Sequence, residues 1–209
     1  MIESSNLSEK TLFLFRHGET DWNREARMQG GTDIALNASG RAQALALRDF
    51  FKLNPVDVFL SSDLARARET AEIARGSAGT PIVFDKRLRE TDLGDAEGMV
   101  LEDVKVKFGP EFYETWKSVQ KIHQDVRFPN GESKAEHLAR VLGAIEDFLS
   151  ATSHLMVGVA SHGGAIRRLI HHLRPELNDP VFVGNCEIYR VSVEPGGHPW
   201  KIDIDPIRR

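Results

Sequence analysis

The chain has 209 residues, of which 41% are hydrophobic and 28% are charged, and it contains 27 Lys and Arg against 31 Asp and Glu. These values are typical of a soluble globular protein and argue against a disordered or fibrous chain. The net charge of −4 at pH 7 gives no reason to expect a nucleic-acid partner, since nucleic-acid binding needs clustered positive charge. The only cysteine is Cys186, which excludes an intramolecular disulfide and a thiolate metal site.

No apolar segment of the sequence is long enough to predict a membrane span. The longest segments, residues 12–15 and 155–160, fall far below the ~20 residues that a spanning helix needs. The first ten residues, MIESSNLSEK, contain two glutamates and no apolar core, so we do not expect a secretory signal. We therefore predict a cytoplasmic protein with no membrane partner.

Short apolar segments that favour strands alternate along the chain with segments of helical periodicity. Strands are predicted at residues 11–15, 56–60 and 155–161. Helices are predicted at about residues 39–53, 63–75 and 132–151, and after His162. In the last two helices, apolar residues recur at positions i, i+3, i+4 and i+7. Residues 187–193 and 200–205 flank Pro195-Gly196-Gly197, which predicts a hairpin.

This alternation predicts an α/β fold, a three-layer sandwich whose central, mostly parallel sheet is flanked by helices. Residues 99–130 depart from it, because Gly109-Pro110 divides them into two short helical pieces with Pro110 at a first helical position. We expect a helical cap insertion over the active site of a single domain, residues 1–209. There, Phe112, Trp116 and Val119 form a stripe that favours internal packing or, alternatively, a lid for an apolar substrate group.

Two of the predicted strands end directly in a histidine. Arg16 and His17 follow the first strand, and His162 with Gly163 follows the third. Ligands bind outside the carboxyl ends of strands in open α/β sheets, so we expect the two histidines to lie together. Arg66 begins the helix after the second strand, and arginine binds phosphate oxygens in a bidentate manner. The pattern therefore favours a site for a phosphoryl group.

The motifs around these residues resemble those of the histidine phosphatase superfamily, the phosphoglycerate-mutase-like enzymes. The run RHGETDWN at residues 16–23 is similar to the family's signature. Five further motifs match in the family's order: QGGTDIALN at 29–37 with Gly40, SSDLARARET at 61–70, LRE at 88–90 with Gly94 and Glu97-Gly98, PNGES at 129–133 and SHGG at 161–164. Six motifs in order are a far more specific signal than any one of them alone.

The resemblance implies a covalent phosphohistidine mechanism that needs no metal or other cofactor. His17 would be the nucleophile, and it must be neutral to attack, a form that neighbouring arginines favour. Glu90 would protonate the leaving alkoxide and then deprotonate water, so it must start protonated, and a bound substrate dianion would raise its pKa. Arg16, Arg66 and His162 would hold the equatorial oxygens. The implied phosphate- and substrate-binding residues are Arg16, Asn23, Gln29, Gly30, Arg66, His162 and Gly163.

Each of these residues also has an ordinary structural interpretation. Taken alone, either histidine would be a buried core residue, Arg66 a surface arginine, and Gln29 with Gly30 a turn. Glu90 has other carboxylates nearby, and its position directly after Leu88-Arg89 decides in its favour. No metal-binding motif occurs, and the adjacent His171 and His172 point in different directions on a helix.

The sequence favours a phosphatase over a phosphoglycerate mutase. Thr-Asp-Leu at residues 91–93 stands where the mutases have Arg-His-Tyr. The lysines of residues 99–130 are balanced by acidic residues, so we expect little fixed positive charge for a second phosphate. A non-catalytic module that binds a phosphorylated ligand is a third alternative, against which the complete catalytic set argues. The substrate is expected to be a small phosphorylated metabolite, and the sequence leaves its identity and the oligomeric state open.

Overall fold

The computed structural model describes residues 8–195 and 199–207, and the strands among them form one six-stranded sheet. The strands are β1 (Lys10–Arg16), β2 (Val58–Ser61), β3 (Ile82–Phe84), β4 (Met156–Ser161), β5 (Ile188–Val193) and β6 (Trp200–Ile202). Their order in the sheet is β3-β2-β4-β1-β5-β6. The pairs β1–β4, β2–β4 and β2–β3 are parallel, whereas β1–β5 and β5–β6 are antiparallel. The predicted α/β fold with a mostly parallel sheet is confirmed.

The described residues also form seven α-helices. They are α1 (Asp21–Arg24), α2 (Ala38–Leu53), α3 (Ala65–Arg75), α4 (Leu101–Phe108), α5 (Pro110–Lys117), α6 (Lys134–Ala151) and α7 (Gly163–Leu173). The Asn37 side chain accepts a hydrogen bond from the Gly40 N–H and fixes the start of α2. At the start of α6, Ser133 and Glu136 form a capping box. None of the described helices has the length and hydropathy needed to cross a bilayer.

The alternation of side chains along β1 divides the core into two layers. Leu12 and Leu14 point to one face and pack with residues of α6 and α7. Phe13 and Phe15 point to the other face and pack with residues of α2 and α3. Each such fully buried side chain favours folding by about 1.5–3 kcal/mol. Helices on both faces of the sheet give the predicted three-layer sandwich.

The strands differ from the sequence prediction in two places. β3, a three-residue strand at the edge of the sheet, is not among the strands predicted from the sequence. Val83 and Phe84 are 42% and 44% exposed, so this strand has no alternation of buried and exposed residues that would predict it. The second predicted strand begins later than expected, at Val58. The hairpin of β5 and β6 is confirmed, while Gly196 and Gly197 of its turn lie outside the described residues.

The predicted insertion folds as the two short helices α4 and α5. Pro110 is the first residue of α5, as the sequence predicted. Phe112 and Trp116 surround the buried Phe128, with ring centroids at 5.3 and 5.0 Å from its ring. Val119 does not belong to this stripe, because α5 ends before it. Leu93 and Ala96, which precede the segment, belong to the same small apolar cluster and join the insertion to the rest of the domain.

Candidate active site

A cavity of about 170 Å³ lies where β1 ends and α7 begins. We call it the reaction cavity. Its lining includes most of the site residues predicted from the sequence: Arg16, His17, Asn23, Gln29, Gly30, Arg66 and Glu90. Two others, His162 and Gly163, adjoin these residues without being part of the lining.

His17 is held in one tautomer by the backbone beside it. The side chain is buried, and its Nδ1 lies 2.7 Å from the Gly18 carbonyl oxygen. A carbonyl can only accept, so Nδ1 carries the proton and Nε2 keeps its lone pair. Burial, followed by the charges of Arg66 and Arg16, holds the pKa of His17 well below its ordinary value. His17 is therefore a neutral imidazole at pH 7, with burial as the main cause rather than the arginines that the sequence suggested.

His162 lies against the ring of His17. The two ring centroids are 5.2 Å apart, and His162 is fully buried. Its Nε2 is 2.9 Å from Ser62 Oγ, while its Nδ1 has no hydrogen-bond partner within the described residues. Burial, then the charge of Arg66, keeps the pKa of His162 well below its usual value. A direct contact between this ring and a phosphoryl oxygen remains a prediction.

The two predicted arginines are held by backbone carbonyls. Fully buried Arg66 donates to the carbonyls of Thr32 at 2.8 Å and Gly30 at 2.9 Å. Arg16 donates to the carbonyl of Val183 at 2.8 Å. Burial lowers the pKa of Arg66 to about 10, so its guanidinium is still charged at pH 7. The Nε–H groups of both arginines are buried and unpaired within residues 8–195 and 199–207, which leaves hydrogen-bonding capacity for an anion.

Glu90 is ionised in the free protein. Its side chain is 17% exposed, and its carboxylate accepts hydrogen bonds from the N–H of Gly164 at 2.8 Å and of Thr91 at 2.9 Å. Burial favours the neutral acid, but Arg168, these two N–H groups and Arg66 outweigh it and hold the pKa of Glu90 below its ordinary value. The carboxyl group is thus set as a base until a bound dianion raises its pKa.

A buried polar network that was not predicted from the sequence lies behind Glu90. Arg168, on α7, donates to Thr91 Oγ1 at 2.7 Å and to His137 Nδ1 at 2.6 Å. His137 Nε2 in turn donates to the Arg89 carbonyl at 3.2 Å. Burial, with Arg168 as the next cause, lowers the pKa of His137 well below its usual value. The one sequence signal for this network is the adjacent pair Arg167 and Arg168 in the helix that follows SHGG.

Helix α1, which contains Asn23, and the loop after it, which contains Gly30, border the reaction cavity. Gly30 has a φ of +53°, and a Cβ there would lie 2.1 Å from Glu97 Oε1, so the position requires glycine. The Asn185 side chain donates to the His17 carbonyl at 3.0 Å and to Asn23 Oδ1 at 3.3 Å. Asn185 therefore joins the segment between α7 and β5 to the end of β1 and to α1.

The reaction cavity is strongly positive. Five arginines and one carboxylate line it, namely Arg16, Arg27, Arg66, Arg167, Arg168 and Glu90. This charge suits a phosphoryl group. In the part of the chain that the structure describes, no group of three or more His, Cys, Asp or Glu side chains is placed to hold a metal ion.

Comparison with known proteins identifies the family. The model of the histidine phosphatase superfamily (branch 1) matches residues 12–203. The chain belongs to this superfamily. The family predicted from the motifs is thereby confirmed, and this histidine phosphatase has relatives named as phosphatases and as mutases.

One curated relative of this histidine phosphatase is the uncharacterized phosphatase PhoE of Bacillus subtilis (strain 168), 34% identical over 192 residues, which are 90% of each chain. Another is the probable phosphoglycerate mutase GpmB of Salmonella arizonae, 36% identical over 191 residues, 88% of this chain and 85% of that one. Among solved structures, the mycobacterial glucosyl-3-phosphoglycerate phosphatase with VO3 matches with a TM-score of 0.81 and 27% identity, covering 93% of this chain and 97% of that one. The chain is an enzyme of the histidine phosphatase type.

Proposed function

We propose that this histidine phosphatase is a metal-independent phosphomonoester hydrolase that acts on a small phosphorylated metabolite through a phosphohistidine at His17. One observation carries the proposal: a neutral, buried His17 shares a positively charged cavity with Arg16, Arg66 and Glu90. These groups supply a nucleophile, anion-binding cations and an acid/base in one place. The arginines provide the charge that a metal ion supplies in other phosphoryl-transfer sites.

In the first step, His17 Nε2 attacks phosphorus and the bond to the leaving oxygen breaks. The Nδ1–H, held by the carbonyl of Gly18, orients the ring so that Nε2 presents its lone pair. Arg16 and Arg66 offset the charge on the equatorial oxygens, which is where most catalysis of phosphoryl transfer arises. Glu90, protonated when the dianion binds, gives its proton to the leaving alkoxide.

In the second step, water replaces the departed alcohol. The Glu90 carboxylate, which accepts hydrogen bonds from the N–H groups of Gly164 and Thr91, takes a proton from this water. The resulting hydroxide attacks phosphorus, the bond between phosphorus and Nε2 breaks, and inorganic phosphate leaves. His17 returns to its neutral form, and Glu90 loses its proton to solvent once phosphate has left, because its pKa is low in the free protein. It takes up a proton again when the next dianion binds.

A cofactor-dependent phosphoglycerate mutase is the alternative function. The GpmB relatives support it, as do Arg167 and Arg168, which bring more positive charge to the reaction cavity than the sequence suggested. A non-catalytic module that binds phosphorylated ligands is a less favoured third possibility. Hydrolysis remains the proposal because of Thr91, which stands where the mutases have arginine. Its N–H donates to Glu90, and its hydroxyl oxygen accepts a hydrogen bond from Arg168.

The test is phosphate release from p-nitrophenyl phosphate and a panel of metabolite monoesters, with EDTA present. Wild type is compared with His17→Ala and with His154→Ala, a histidine outside the reaction cavity. We expect release that survives EDTA, falls at least ~10³-fold in His17→Ala and is retained in His154→Ala. A base-stable, acid-labile phosphoprotein should accumulate in wild type and in His154→Ala, and should be absent in His17→Ala.

Three other outcomes would contradict the proposal. Loss of release in EDTA, restored by added metal, would contradict metal independence. Conversion of 3-phosphoglycerate to 2-phosphoglycerate once 2,3-bisphosphoglycerate is added, without release of phosphate, would identify a mutase. Binding of inorganic phosphate with no turnover of any ester would identify a binding module.

A further inference from the structure

A second and larger cavity adjoins the reaction cavity. It has a volume of about 510 Å³ and lies between the end of α5, one face of α6 and α7. We call it the side cavity. Trp116, Arg167 and Arg168 line both cavities. Its volume lies in the range of about 300–1,000 Å³ that is usual for pockets holding drug-sized ligands.

The lining of the side cavity combines apolar and positively charged side chains. Its apolar side chains include Trp116, Val119, Leu138, Leu142 and Leu177. Its cationic side chains are Lys117, Lys121, Lys134, Arg167 and Arg168, and no Asp or Glu is among the described residues that line it. The acidic residues of the insertion, which the sequence analysis expected to balance the lysines, line neither cavity. Of the insertion lysines that line the side cavity, Lys117 is paired with Glu114 at 3.2 Å. The charge that was not predicted from the sequence comes from Lys134, Arg167 and Arg168, which lie outside residues 99–130.

Most of these cations are already engaged. Lys134 Nζ donates to the carbonyls of Trp116 at 3.0 Å and Ser118 at 2.7 Å, which fastens the end of α5 to α6. Arg168 is bound within the network behind Glu90. Arg167, by contrast, makes no hydrogen bond or ion pair with any described residue, although it is only partly exposed. Its guanidinium is available to bind an anion at the junction of the two cavities.

We propose that the side cavity binds the alcohol portion of the substrate, and that this alcohol is bulky, largely apolar and carries a second negative charge held by Arg167. The inference rests on the proposed function, which places the leaving oxygen beside Glu90. Arg168 contacts the Glu90 network and lines the side cavity, so a group leaving past Glu90 enters that cavity. A three-carbon alcohol would leave most of its 510 Å³ empty.

Binding of hydrolysis-resistant phosphonates tests the charge. The probes are 6-(phosphonomethyl)-2-naphthoate and its methyl ester, in which a methyl group replaces the distal negative charge, with Kd measured by calorimetry. We expect wild type to bind the acid about tenfold more tightly than the ester, as a charge-assisted hydrogen bond predicts. In Arg167→Gln this ratio should fall below about twofold. In Arg174→Gln, a matched arginine paired with Glu176 outside both cavities, it should stay at the wild-type value.

A steric variant tests where the naphthyl group lies. Ala139 is an exposed residue of α6 that lines the side cavity, and Ala151 is an exposed alanine at the far end of the same helix. Ala139→Phe should weaken binding of the naphthyl phosphonates at least about tenfold by filling the cavity, while binding of methylphosphonate is kept. Ala151→Phe should change neither affinity.

Equal binding of acid and ester by wild type, or an unchanged ratio in Arg167→Gln, would overturn the side-cavity proposal. Equal effects of the two phenylalanine variants would do the same. Since phosphonate binding needs no turnover, failure of the hydrolase proposal is a separate result. Tight binding that depends on Arg167, with no hydrolysis of the corresponding phosphate ester, would refute hydrolysis and retain the ligand class.

Discussion

Replacing Gly164 by alanine would test whether Glu90 is the catalytic acid, because it moves the carboxylate without removing it. A Cβ at this position would lie 2.3 Å from Glu90 Oε1 and 3.0 Å from Nη1 of Arg168. Ordinary contact needs a separation of about 3.5 Å, so the carboxylate must move by about 1 Å. The atom that moves is the end of a flexible side chain, so we expect the free energy of unfolding to change by less than about 1 kcal/mol.

The expected loss of activity depends on the leaving group. Misplacement of a catalytic group by about 1 Å can cost about 10²-fold, which is within the ~10²–10⁴-fold that a general acid contributes. We therefore expect kcat/KM for an alkyl phosphate to fall about 100-fold in Gly164→Ala. For p-nitrophenyl phosphate it should fall less than about tenfold, because nitrophenolate leaves without a proton. The parameter kcat/KM is the informative one, since it reports transfer to His17 and not the later hydrolysis.

The matched control is Gly143→Ala, at a position in α6 where a Cβ would meet no atom within 4 Å. It should keep wild-type activity and raise the free energy of unfolding by about 0.8–1 kcal/mol, through helix propensity alone. Equal losses on the alkyl and nitrophenyl esters in Gly164→Ala would show that the site as a whole was disturbed. No loss on either ester would refute Glu90 as the acid.

Three further predictions concern stability. The buried His17, His137 and His162 all have a pKa held well below the ordinary value, first by burial. Unfolding therefore takes up three protons below about pH 6.5. As the pH is lowered through this range, the free energy of unfolding from urea denaturation should fall with a slope of up to about 4 kcal/mol per pH unit. A free energy of unfolding that does not change with pH would contradict this prediction. In Gly40→Ala, a Cβ would lie 2.1 Å from a backbone oxygen of the loop after His17, so the free energy of unfolding should fall by about 1–3 kcal/mol, and an unchanged thermal melt would refute this. Lys134→Met should remove the hydrogen bonds to the carbonyls at the end of α5 and lower the free energy of unfolding by about 1–3 kcal/mol. Proteolysis within residues 99–130 should then be faster than in wild type. A wild-type cleavage rate would show that Lys134 does not hold α5 against α6.

Local patterns were enough to predict most of the architecture and the residues at the strand ends. β1 and β4 are apolar segments, and the starts of α2 and α6 follow capping residues such as Asn37 and Ser133. The strand-end position of His17 and His162 depends only on where an apolar segment stops, which a sequence shows directly. β3 was not predicted because an exposed edge strand has no buried face that would impose an alternation of apolar and polar residues.

The sequence by itself thus determined the family, the layers of the fold, and the residues that meet at the carboxyl ends of the strands. Only the tertiary structure decided the ionisation of Glu90, the network of Arg168 with His137, and the side cavity that exposes Arg167. The physical reason is that helices and strands follow from the periodicity of neighbouring residues. A pKa or a cavity depends instead on distances between side chains that are far apart in the chain. Here those distances are set by the packing of α6 against α7 and of the end of α5 against α6.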